Sequence, residues 1–152
     1  MFYEQLLKEA SHEKIDIYEK PMPKNIKGLY AESVIWINCY VESEVEKACI
    51  LAEELGHYHT STGNILDQKQ LSNRKQEKTA RNWAYAKLVP LQKIIDAYTK
   101  GIKNYHELAE YLGVTEAFLA DSLSRYKEKH GIHTSVGSYQ IHFEPLNISK
   151  KI

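Results

Sequence analysis

Cysteine is scarce in this chain, long apolar runs are missing, and neither sign of charge is in excess. The two cysteines, Cys39 and Cys49, have neither the number nor the spacing of a disulfide framework or a cysteine-based zinc site. Both are expected as small buried hydrophobes in a reducing cytoplasm. Twenty Lys and Arg are balanced by twenty Asp and Glu. The basic excess by which proteins hold phosphate backbones is therefore absent, and no direct nucleic-acid binding is expected. No apolar run approaches the roughly 20 residues of a membrane span. The N-terminus, MFYEQLLKEASHEK, reads as an amphipathic helix and not as a signal peptide. No membrane association is expected, and the location expected is the cytoplasm. No internal repeat or low-complexity linker divides the sequence. Its 152 residues suit a single domain burying roughly two-thirds of its extended surface.

What is present sorts into an N-terminal part with strands and a helical remainder. Residues 2–12 form a short helix with Phe2, Leu6 and Leu7 facing inward. Ile15 and Ile17 alternate with polar neighbours in a short strand ended by Pro21 and Pro23. Leu29-Tyr30-Ala31 and then Ser33 to Cys39, a β-branched and aromatic run, complete a sheet of about three strands. Ser43 opens a helix with Glu46 three residues on, the spacing of a capping box, and Val45, Ala48, Cys49, Ala52 and Leu55 supply its apolar stripe. Residues 60–64 close it, and a loop through 64–72 leads to a helix over 73–88 that Pro90 stops. A helix over 91–99 ends at Gly101, and 104–127 reads as helix–turn–helix. Tyr139 to Phe143 alternate as a late strand or extended arm. The expectation is one α+β domain over 1–152. Within it, 1–72 carries a small antiparallel or mixed sheet and the functional helix, 73–130 is helical, and 131–152 is a C-terminal arm.

The chemistry concentrates in Glu53-Glu54-Leu55-Gly56-His57. This run differs by one residue from H-E-x-x-H, in which two histidines at i and i+4 share a helix face and one metal while the glutamate serves as general base. Glu54 and His57 hold the second and fifth positions, and Glu53 stands where the first histidine would be. A carboxylate oxygen ligates zinc at about the distance of an imidazole nitrogen, so Glu53 and His57 remain a possible ligand pair. A solvated acidic turn ending in a histidine that favours the helix dipole is the competing reading. Such a pair needs a third ligand from elsewhere, and Glu77 is the candidate, on a helix that can fold back antiparallel to the first. His59, about 200° around the helix from His57, belongs to the surface or behind the site. The helix–turn–helix segment resembles a DNA reader, but Thr115 to Ser122 carries Glu116 and Asp121 and no base. Acids there repel phosphate, so the pair is expected to serve packing.

The stretch Ala48 to Thr60, ACILAEELGHYHT, resembles the active helix of the ImmA/IrrE metallo-endopeptidases of phages and integrative elements. Gly28-Leu29-Tyr30, Ala80-Arg81-Asn82-Trp83-Ala84 with Leu88-Val89-Pro90, Leu108-Ala109 through Gly113-Val114, and Tyr139 through Leu146 follow in the family's order, so the likeness spans about residues 12–148. It implies a zincin-like α+β fold and a Zn2+ ion, or another divalent metal, held by Glu53, His57 and Glu77. It gives Glu54 the role of general base. Glu77 falls at the family's ligand glutamate, whereas Arg81 stands where asparagine is common. The implied activity is proteolysis of a helix–turn–helix repressor of a phage or mobile element. A catalytically weak or inactive member that binds a regulatory protein is the alternative.

Overall fold

The β-branched run around Ile35 becomes the central strand of a small mixed sheet. The structure, a computed structural model, describes residues 2–61 and 70–152. Its contacts divide the chain into two compact units, Met1–Leu88 and Val89–Ile152. In the first, helix α1 (Tyr3–His12) precedes strands β1 (Asp16–Lys20), β2 (Gly28–Ala31) and β3 (Val34–Asn38), and helices α2 (Glu44–Thr60) and α3 (Gln70–Leu88) follow. β3 pairs in parallel with β1 and antiparallel with β2, which leaves β2 at an edge. Ile35 and Ile37 are buried on one face of β3, and the half-buried Val34 and Trp36 occupy the other. At the end of β3 the buried Asn38 carboxamide donates to Met22 O (3.1 Å) and Ile26 O (2.8 Å) and accepts from Tyr40 N–H (3.1 Å). It thereby pins the connection after β1, where Pro21 ends the strand as expected.

Four details of the first unit differ from the sequence reading. Cys39, expected to be buried, is exposed just after β3, and only Cys49 is buried. Phe2 lies outside as the residue before α1, and Tyr3, Leu6 and Ala10 form the inward stripe instead. Val45 is exposed, and Ala48 to Ala52 are buried all round, because α1, α3 and the sheet all pack on α2. The helix expected from 73 begins at Gln70. The rest of the expected loop, 64–69, lies outside the described residues, as do residues 62 and 63 before it. The Ser43 cap is as expected, its Oγ accepting from Glu46 N–H at 3.2 Å.

The second unit holds helices α4 (Leu91–Thr99), α5 (Tyr105–Leu112) and α6 (Glu116–His130), then strands β4 (His133–Val136), β5 (Tyr139–Phe143) and β6 (Leu146–Lys150). The helix–turn–helix is present: Gly113 turns the chain at φ +73°, and Thr115 caps α6 by accepting from Phe118 N–H at 3.0 Å. Leu108, Leu112, Leu119, Leu123, Ile141 and Phe143 are buried. Instead of an extended arm, residues 131–152 form an antiparallel sheet of order β4-β5-β6. Gly137, at φ +59° in the two-residue turn Gly137-Ser138, makes the first hairpin. The fold is α+β, with a helical core in this half and a sheet that the sequence reading reduced to one strand. No described helix is long and apolar enough to cross a membrane.

Candidate functional site

Helix geometry places Glu53, Glu54 and His57 within about one turn of each other on α2, all of them half-buried. Two glycines let other elements reach them. A Cβ on Gly56 would lie 2.2 Å from Ala80 O, so α2 and α3 touch backbone to backbone beside His57. A Cβ on Gly28 would lie 2.8 Å from Ile50 Cγ2 and 3.1 Å from Glu54 Oε1, so β2 runs directly over this part of α2. The missing side chain at Gly56 thus serves the close approach of the α3 backbone.

The close α2–α3 crossing joins the expected partners. His57 Nε2 lies 3.0 Å from Glu77 Oε2, and the other carboxylate oxygen of Glu77 is 3.5 Å from Arg81 Nε. Tyr30, on edge strand β2, stacks over the His57 imidazole with ring centroids 5.9 Å apart and planes 11° from parallel. Burial pushes the Glu54 carboxyl up to about 7, and the carboxylates of Glu77 and Glu53 push it the same way. His57 and Glu77 are thus in contact, and Glu54 feels both Glu77 and Glu53. His59 is turned elsewhere, as its place on the helix implies. Its ring stacks on Trp83 with centroids 4.8 Å apart, and its Nε2 is 2.8 Å from Glu13 Oε2.

A zinc ion suits part of this donor set. Two ligands at about 2.1 Å on one tetrahedral ion stand about 3.4 Å apart, close to the 3.0 Å between His57 and Glu77. Three carboxylates around one imidazole also make the electrostatic environment of a cation site. Against this, no three His, Cys, Asp or Glu side chains among the described residues are gathered tightly enough to hold a metal together. The pair fits, and a third donor has to move in to complete it.

The sequence reading missed Tyr30 and the pairing of Arg81 with Glu77. Arg81 sits at i+4 from Glu77, a spacing that signals such a pair on any helix. Nothing local signals Tyr30, because only the sheet topology brings it over α2. The family profile described as the IrrE N-terminal-like domain, a peptidase family, matches residues 10–124, a span that contains every residue of this site. No curated protein matches the chain.

Proposed function

The chain belongs to the peptidase family of the IrrE N-terminal-like domain, and from that premise we propose that it is a metal-dependent endopeptidase acting on a regulatory protein. The observation that carries this reading is the 3.0 Å contact between His57 Nε2 and Glu77 Oε2, which joins two helices within the matched span. Glu53, His57 and Glu77 would hold the ion, with Glu53 as the third donor. Bound there, zinc supplies Lewis acidity and an acidified water. Glu54 accepts the proton of the water that attacks the peptide carbonyl and delivers it to the leaving amine. A carboxyl raised to about 7 by burial exchanges protons readily near neutral pH. Tyr30 restricts rotation of the His57 ring from the strand side.

The substrate proposed is a helix–turn–helix repressor of a phage or mobile element, as the resemblance implies, which would place the reaction in the cytoplasm. The test is incubation of the purified protein with the neighbouring repressor, with and without a chelator. Cleavage is expected only without it. Glu54→Gln is expected to lower the rate at least about 100-fold while metal content stays at the wild-type level. Chelator-insensitive cleavage excludes the mechanism. A second reading, a weak or inactive member that binds the same regulator, is favoured by Glu53 in the first motif position and by the lack of a gathered third donor among the described residues. Tight repressor binding with substoichiometric metal and no cleavage would select it.

A further inference from the structure

A pair of histidines in the second unit stands outside the proposed reaction. β4 and β5 run antiparallel, with His133 directly opposite His142. Phe143 N–H donates to Ile132 O at 3.1 Å, so the adjacent pair, 132 and 143, is the hydrogen-bonded one. The two histidines therefore occupy the close, non-hydrogen-bonded position, where opposing side chains are nearest. Their ring centroids are 5.2 Å apart and their planes are inclined by 48°. Two imidazoles bound to one tetrahedral ion, each with its ring centre about 3.2 Å from the metal, would have centroids about 5 Å apart. The observed spacing already meets that requirement.

The surroundings agree. Strand alternation puts Ser135, Gln140, Asn147 and Ser149 on the same sheet face as the pair, in register with one another, and none of them is charged. None of these four strand residues is a cation that would compete with an ion. Gln140 Nε2 lies 3.0 Å from His133 Nδ1. Turned end for end, that carboxamide accepts from Nδ1–H through its oxygen, which leaves Nε2 of His133 with its lone pair free. A partner on the second nitrogen is the usual support of a ligating histidine.

We propose that His133 and His142 form a two-point site for a borderline divalent transition ion such as Zn2+ or Ni2+, separate from the α2–α3 site. Nitrogen donors select such ions over Ca2+ and Mg2+, and with only two protein ligands the remaining positions belong to water. Strand pairing fixes the two backbones opposite each other before the ion arrives, so only side-chain torsions remain to be ordered on binding.

The experiment is a Ni2+ titration of the full chain without a purification tag, followed by NMR of the histidine side chains. The first equivalent is expected to broaden the His133 and His142 resonances, and to do so equally in His57→Ala, in which the α2–α3 site is disabled. His133→Gln and His142→Gln should each weaken this binding at least about tenfold, and Gln140→Ala should weaken it by a smaller factor. Unchanged amide spectra of the metal-free variants would show that the fold is intact. Sharp His133 and His142 signals at several equivalents of Ni2+, or wild-type affinity in either histidine variant, would overturn the proposal.

Discussion

Glu77 has two partners for its two carboxylate oxygens, His57 on the neighbouring helix and Arg81 on its own. A metal at this site would have to share Glu77 with Arg81, and it would face three carboxylates in place of the usual two. Each added anion lowers the ability of the ion to acidify its water. Glu53→His, which exchanges one of those carboxylates for a neutral ligand, is therefore expected to bind zinc at least as tightly as the wild type in a competition titration. His57→Ala should lose zinc from this site, because the two carboxylates that remain are a poor zinc pair. Gly28 is the other residue on which the site depends. Gly28→Ala puts a methyl 2.8 Å from Ile50 Cγ2 and 3.1 Å from Glu54 Oε1. A cost of about 1–3 kcal/mol in denaturant unfolding is expected, together with a change in the environment of Glu54.

Between elements, the decisive contact is the crossing of α2 over α3. Gly56→Ala sets a Cβ against backbone, 2.2 Å from Ala80 O, where no rotamer change can relieve it. The helices must separate, and a loss of about 3 kcal/mol or more is expected. The same variant should weaken zinc binding, since His57 and Glu77 meet only across this crossing. In the second unit, Tyr126 Oη donates to Val89 O at 2.8 Å, and burial pushes its phenol up to about 12. An acid whose folded pKa is raised favours folding fully below its unfolded value near 10, and that contribution is lost as pH climbs from there towards 12. Tyr126→Phe should cost about 1 kcal/mol at neutral pH and flatten the alkaline fall in stability above pH 10, as read by unfolding at a series of pH values. The strands at 133–150 show how much of an element is legible locally. Tyr139 to Phe143 announces a strand by alternation, whereas β4 and β6 are mostly polar and are not read without the partner that pairs with them.

For the molecule as a whole, charge balance governs what it can bind. With twenty basic and twenty acidic side chains and a pI near 7.1, it carries no net basic excess of the kind that holds phosphate backbones. The exposed start of α6 presents Glu116 and Asp121. The protein is therefore expected to leave a DNA duplex unshifted in a gel mobility assay at physiological salt, despite its helix–turn–helix. A salt-sensitive shift would contradict this.

The sequence by itself determined the parts that depend on neighbours along the chain. These are the β-branched strand at 34–38, the Ser43 cap, the glycine turn at Gly113, and the placement of Glu53, Glu54 and His57 together on α2. Each follows from periodicity or from a side chain bonding its own backbone a few residues away, so no distant partner is needed. The tertiary structure alone decided that Glu77 meets His57, that Tyr30 lies over the imidazole, that α3 stays with the sheet in the first unit, and that the C-terminal tail is a three-stranded sheet. Those outcomes rest on contacts between residues far apart in the chain. They are set by where a missing Cβ lets two backbones touch and by which strand edges find partners, and such information is spread over elements instead of being written in any one of them.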